Sequence, residues 1–203
     1  MKIISIIPLK RGYSTLMDEN GSMYRLSNKV ISENNIDIGE IDRDLFLNIY
    51  HKAREKELLV LTSRYIERKE RSEKQLTAYL LRKGFDHEEI EVILSKLKEK
   101  KFVDDDRYIR EFIDYYKNTK LCSKFFAEQK IIEKVGREKK DLCKQLIKEN
   151  YTEDEEVDVA KKLIEKKKIT EAEEIEKMLA AKGFSFKTII SITKNSKNNV
   201  YFV

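Results

Sequence analysis

The chain has 203 residues, with 42 Lys+Arg against 37 Asp+Glu (net +5) and only 6 Gly and 1 Pro. So few turn residues among so many charged helix formers exclude the large, loop-rich α/β and all-β enzyme folds and point to a mainly helical protein. A hydrophobic share of 40% excludes a disordered polyelectrolyte, and no apolar run reaches the roughly 18 residues of a membrane span.

In chain order, Ile3, Ile4, Ile6 and Ile7 form a β-branched run closed by Pro8, which reads as a strand end or edge rather than a secretory leader. Tyr13–Met17 and Met23–Leu26 flank Asp18-Glu-Asn-Gly21, a hairpin signal in which Asn-Gly supplies the positive-φ positions. Residues 1–42 are therefore expected to form a small β region that leans on the helices next in the chain. Beyond Asp42 the apolar period becomes helical. Connecting helices are expected across 43–70: one from 44 to 56 with Leu45, Ile49 and Ala53, and one from 58 to 69 with Leu58, Leu61, Tyr65 and Ile66. Ser72 is expected to N-cap the next helix, Gln75 to complete a capping box, and Gly84 to stop it. Further helices are expected near 87–100, 105–118, 123–135, 138–149, 154–168, 171–182 and 186–194.

An internal repeat organises these helices. Leu76, Leu80, Lys83-Gly84-Phe85, Ile90 and Ile93 recur as Ile175, Leu179, Lys182-Gly183-Phe184, Ile189 and Ile192, all offset by 99 residues. A divergent middle copy places Phe126, Val135 and Cys143 near the positions of Leu76, Phe85 and Ile93, with Lys134 where the glycine stands in the others. The expected fold is mainly α: three tandem three-helix repeats (71–118, 119–150 and 151–203, the last with a C-terminal tail) stacked into an elongated curved rod behind the β region.

Cys122 and Cys143 lie in helical patterns and read as reduced core or boundary residues, and His51 and His87 share no metal-ligand spacing with them. Asp104-Asp-Asp106 lacks the further ligands of a calcium loop. It reads as the cap of a helix carrying Tyr108, Phe112 and Tyr115, with Phe102 and Val103 stapled to its first turn. With no nucleophile elbow or phosphate loop, neither an enzyme nor a cofactor is expected. Charge is uneven: residues 117–149 hold ten basic against five acidic side chains, and Glu153-Asp-Glu-Glu156 opens the next helix, where the macrodipole favours anions. No aromatic side chain is regularly interleaved with these bases, so a base-stacking platform is not expected.

The stretch Ser63-Arg-Tyr-Ile-Glu-Arg-Lys-Glu-Arg-Ser-Glu-Lys-Gln-Leu-Thr-Ala-Tyr-Leu-Leu-Arg-Lys-Gly-Phe85 resembles the RecX family. So does Leu97-x4-Phe102-Val-Asp-Asp105-x2-Tyr108-x3-Phe112, and the likeness extends to Lys182-Gly-Phe184 and the N-terminal hairpin. Between 118 and 150 the chain departs from the family pattern, with Leu121-Cys-Ser123 for its Gly-Pro and Glu133-Lys-Val135 for its Lys-Gly-Ile. A reduced, basic chain without a secretory signal is expected in the cytoplasm, and the resemblance implies a helical, non-enzymatic regulator that binds the groove of the RecA–single-stranded-DNA filament and limits RecA's ATPase, strand-exchange and coprotease activities. A monomer is the simplest state. Candidate contacts to RecA or DNA are Arg64, Arg68, Lys69, Arg71, Lys74, Arg82 and Lys83, with Lys124, Lys130, Lys134 and Arg137. The alternatives are an autonomous nucleic-acid-binding helical protein and a helical interaction scaffold.

Overall fold

The computed structural model describes residues 1–198, with side chains through Lys194; the end of the expected tail lies outside the described residues. Strands β1 (Lys2–Leu9), β2 (Tyr13–Asp18) and β3 (Met23–Ser27) precede helix α1 (Asn28–Glu33), the short strand β4 (Gly39–Glu40) and helix α2 (Arg43–Glu67). Helices α3 (Glu73–Arg82), α4 (His87–Glu99) and α5 (Asp105–Asp114) come next, and α5 runs directly into a π-helical turn, Tyr115–Thr119. Then come α6 (Lys124–Val135), a 3₁₀ turn (Arg137–Lys139), α7 (Lys140–Asn150), α8 (Glu153–Lys167), α9 (Ala172–Ala181) and α10 (Phe186–Asn198). The fold is mostly helical behind a small antiparallel sheet. It divides into two compact units: Met1–Arg68 with Leu80–Ile93, and Lys69–Tyr79 with the chain from Leu94 on.

In the first unit the strand order is β3-β2-β1-β4, all antiparallel. The β2–β3 turn is the expected hairpin: Gly21 takes φ +80°, and Asp18 Oδ1 accepts the N–H groups of Asn20 (2.9 Å) and Ser22 (2.8 Å). Strand β1 runs through Pro8 to Leu9; β4 pairs only with Lys2 and Ile3, so Pro8 lies where β2 is its single neighbour. Ile3, Leu16, Leu26, Ile36 and Phe46 form the core, and the Tyr24 ring meets Phe46 edge-on at 5.0 Å.

The two expected connecting helices are one. Lys56 and Glu57 are good helix formers with no Gly or Pro nearby, and the buried stripe Phe46, Arg54, Leu58 and Thr62 continues across them. Leu58 is buried as expected, whereas Phe46, Arg54 and Thr62 each lie one residue beyond the expected Leu45, Ala53 and Leu61, leaving Leu45 exposed. Buried Arg54 anchors the first Lys-Gly-Phe. Its guanidinium donates to both Glu89 carboxylate oxygens (2.8 and 2.7 Å) and to the Gly84 carbonyl (2.8 Å), and lies 4.1 Å from the Phe85 ring centre.

The two Lys-Gly-Phe copies end their helices identically. Gly84 (φ +85°) and Gly183 (φ +75°) turn the chain, and the following Phe85 or Phe184 N–H donates to the carbonyl of Leu80 (3.3 Å) or Leu179 (3.1 Å), the long bond of a Schellman motif. In the middle copy Lys134 is helical; the stop falls two residues later at Gly136 (φ +109°), which C-caps α6. The second unit's core draws on α5 to α10 and includes Tyr108, Ile109, Ile131, Leu146, Tyr151 and Leu179.

Candidate functional site

Two polar joints, 51 residues apart in the chain, position the surface of the second unit. Ser72 N-caps α3, accepting from Gln75 N–H (3.2 Å), and donates its hydroxyl to the Lys134 carbonyl (2.7 Å). Fifty-one residues later Ser123 caps α6, accepting from Phe126 N–H (3.1 Å), and donates to the Lys182 carbonyl (2.9 Å). Beside each serine the next backbone N–H reaches a buried carboxylate, again 51 residues apart: Glu73 N–H to Asp105 Oδ1 (2.9 Å) and Lys124 N–H to Glu156 Oε1 (2.8 Å). Each second oxygen is also engaged, Asp105 Oδ2 by Lys139 Nζ (2.6 Å) and Glu156 Oε2 by the Thr188 hydroxyl (3.0 Å). Both carboxylates lie in the first turn of a helix and face the start of another, where the backbone dipoles favour an anion. Gln75 does not close a capping box; its amide oxygen accepts from Tyr108 O–H instead (3.3 Å). The reciprocal box is at Thr152 and Glu155, on the acidic start of α8.

Asp104 caps α5 as expected, accepting from Arg107 N–H (3.1 Å), while Asp105 is committed to the joint. Val103 is buried but Phe102 is exposed, so only Val103 supports the first turn. Along α5 the rings fall at helical spacing and form a ladder. Tyr108 stacks on Phe112 at 4.5 Å between centres, Phe112 meets Tyr115 at 6.0 Å and Tyr116 at 6.1 Å, and Tyr116 reaches across to Phe126 of α6 at 6.4 Å. The π turn places Tyr115 and Tyr116, 5.4 Å apart, at its opening. Burial pushes the Tyr108 phenol up to about 12 and raises that of Tyr116.

Lysines cover the ladder. Lys69 and Lys134 place their ammonium groups 5.4 and 5.2 Å from the Phe112 centre, Lys120 lies 5.5 Å from Tyr115, and Lys130 lies 5.8 Å from Phe126. These are cation–π distances. Aromatic and basic groups are therefore interleaved in space, contrary to the sequence expectation, because α5 and α6 pair their faces across the bend at Leu121–Ser123. Lys130 also pairs with Glu133 (2.9 Å).

Of the eleven expected contact residues, the structure gathers Lys69, Lys130 and Lys134 at this ladder. Lys74 is turned to a packing role, donating to the Glu133 carbonyl (3.0 Å), and the Lys124 ammonium lies 5.8 Å from the buried Tyr151 ring. Arg71 is half-buried in the same unit, and Arg137 is exposed on the 3₁₀ turn. Arg64, Arg68, Arg82 and Lys83 belong to the first unit; the first three are exposed, and the Lys83 carbonyl accepts from Arg25 (2.9 Å). Sequence reasoning missed Lys120, Tyr115 and Phe126. The available signal was the i, i+4, i+7, i+8 run of Tyr108, Phe112, Tyr115 and Tyr116. Burial pushes the Cys143 thiol up to about 11 and raises that of Cys122, so both are thiols at neutral pH. Among the described residues no helix is long and apolar enough to cross a membrane.

Comparison with known proteins bears on this arrangement. Residues 63–105 match the family model of the RecX first three-helix domain. Regulatory protein RecX of Caldanaerobacter subterraneus subsp. tengcongensis is 31% identical over 129 residues, covering 62% of this chain and 64% of that protein. For regulatory protein RecX of Oceanobacillus iheyensis the figures are 32% over 117 residues, 58% and 40%. The chain thus spans less than two thirds of these two relatives. The crystal structure of a regulatory protein RecX aligns with 96% of this chain and 98% of its own at TM-score 0.61 and 21% identity. That of RecX from Lactobacillus salivarius aligns with 71% and 97% at TM-score 0.62 and 18% identity. The domain match, the named relatives and the shared fold all liken the chain to proteins of the RecX family.

Proposed function

We propose that the chain is a regulator of the RecA recombinase that acts by occupying the RecA–single-stranded-DNA filament. It lowers RecA's ATP hydrolysis, strand exchange and coprotease activity and catalyses no reaction itself. The observation that carries this reading is the match of residues 63–105 to the RecX first three-helix domain. The segment contains the first Lys-Gly-Phe stop, Ser72 and the buried Asp105 of the first joint. Occupancy requires only that the protein bind one filament state better than another, so the reading needs no active site. It takes the protein as a cytoplasmic monomer. It also keeps a β region of 1–42, a connecting helix and serial repeats. The 51-residue correspondence of the joints supports counting α8 with α6 and α7, which moves the start of the third repeat to α9. DNA is approached electrostatically by Lys69, Lys130 and Lys134 among the expected contacts, with Arg64, Arg68, Arg71, Arg82 and Arg137 as further charges for the filament.

The test is RecA-dependent ATP hydrolysis on single-stranded DNA with substoichiometric protein added. The expected result is a progressive slowing, with the protein co-sedimenting with filaments. An unchanged rate and a protein left in the supernatant would reject the reading.

A further inference from the structure

We infer that Tyr115 and Phe126, with Lys69, Lys120, Lys130 and Lys134 around them, form a base-stacking site for single-stranded DNA. The inference deepens the proposed function and can fail independently of it.

Both rings are 37% exposed, whereas Phe112 and Tyr116 behind them are 8% exposed. The buried pair supports the ladder and the outer pair offers it to solvent. An ammonium group lies at each outer ring: Lys130 over Phe126, and Lys120 5.5 Å from the Tyr115 centre and hydrogen-bonded to its hydroxyl. A strand can displace both to advantage. An exposed lysine over a ring holds it by about two- to five-fold in equilibrium terms, whereas a base stacked on an aromatic ring contributes about five-fold or more in affinity. The displaced ammonium keeps a partner, because each base that takes a ring face brings its own phosphate. Lys69 and Lys134, both over Phe112, add cations just behind the exchange. Among the described residues Lys69, Lys120 and Lys134 have no carboxylate within ion-pair distance. The carboxylate of Glu133 is held by Lys130.

The chemistry favours a nucleic-acid strand over a protein. Lysine is depleted at the centres of protein–protein interfaces, and here lysine covers the centre. A duplex keeps its base faces stacked and can meet only the charge, so the site should discriminate for single strands.

The experiment is fluorescence anisotropy of a labelled oligothymidylate and of a duplex of equal length, without RecA. Tyr115→Leu and Phe126→Leu keep the apolar contact to the core and remove the π face. Each is expected to weaken oligothymidylate binding about five-fold or more and to leave duplex binding unchanged. Irradiating the unaltered protein with a 5-iodouracil strand is expected to attach the strand at Tyr115 or Phe126, a readout that does not depend on how the variants fold. Unchanged oligothymidylate affinity in both variants, or equal losses for strand and duplex, would overturn the site. So would variants that lose regulation of RecA but keep the strand, since the surface would then belong to a protein contact. ATP hydrolysis assayed in parallel with the parent protein reports separately on the regulatory reading.

Discussion

At the residue scale, two glycines with one sequence motif have different surroundings. Gly84 and Gly183 both hold positive φ, so any side chain at either incurs about 1 kcal/mol or more of backbone strain. A Cβ at Gly84 would lie 3.5 Å from the end of the flexible Arg25 side chain, an ordinary contact. At Gly183 it would lie 3.1 Å from Ser123 Oγ and 3.2 Å from the Phe125 ring, and Ser123 is committed to capping α6 and to the Lys182 carbonyl. Gly183→Ala should therefore destabilise by about 1 kcal/mol more than Gly84→Ala, adding crowding to the common strain. Urea denaturation of the two variants checks this; equal midpoints would mean that Ser123 and Phe125 yield without cost. The shared Lys-Gly-Phe revealed the two helix stops, but not that Ser123 lies over the second, 60 residues earlier in the chain.

Elements whose signal is local were legible in the sequence. The hairpin arises from Asp18 to Gly21, α5 from its Asp104 cap and α8 from its acidic first turn, each formed by residues within four positions of one another. Expectations failed where a distant partner displaced a local one. Gln75 is spaced for a capping box, yet its oxygen goes to Tyr108, 33 residues on. The joints are of this second kind. Asp105, Lys139 and Glu73 come from three elements, and Lys98 from a fourth (3.1 Å from Glu73). Burial alone would raise the Glu73 carboxyl, but hydrogen bonds from Lys139 and Lys98 outweigh it and hold it below its usual value. Burial likewise opposes the charged Lys139, and Asp105 and Glu73 overcome it, raising the ammonium. A depressed carboxyl stabilises the fold above its unfolded value near 4.5 and ceases to as pH falls through the folded value; a raised ammonium stabilises below its unfolded value near 10.5 and ceases to as pH rises through its folded value. The joint thus contributes fully between those limits. Lys139→Met should cost about 3 kcal/mol at neutral pH, because it leaves the buried Asp105 carboxylate without its cation. The deficit should shrink in acid as the Glu73 carboxyl, which Lys139 helps to hold below its usual value, takes up its proton. Thermal melts at pH 7 and pH 3 check this; a deficit that is constant with pH would assign the loss to packing.

For the whole molecule, the net charge of +5 conceals a division between cations already engaged and cations available. Lys177 is matched by Glu173 one helical turn away (2.6 Å) and Lys117 by Glu155 (2.7 Å), whereas Lys69 and Lys134 meet the Phe112 ring and Lys120 meets the ring and hydroxyl of Tyr115. This division was not legible in the chain. Lys69 and Lys134 are 65 residues apart and share the Phe112 ring only because the segment before α3 and helix α6 both meet α5 there. Ammonium groups over rings can be transferred to phosphate with little loss, and each phosphate neutralised releases condensed counterions. On a single strand that release lowers log K by about 0.7 per decade of salt. The three lysines without a carboxylate partner, Lys69, Lys120 and Lys134, should give a slope near −2, or roughly a twenty-fold loss of affinity between 50 and 200 mM salt. Lys120→Gln combined with Lys134→Gln should bring the slope to about a third of that value. Lys177→Gln, which removes the same unit of charge from a matched pair, should leave it unchanged. Anisotropy titrations across that salt range separate the cases: if Lys177→Gln flattens the slope as much per charge as the ladder variants do, the strand responds to total charge and not to this surface.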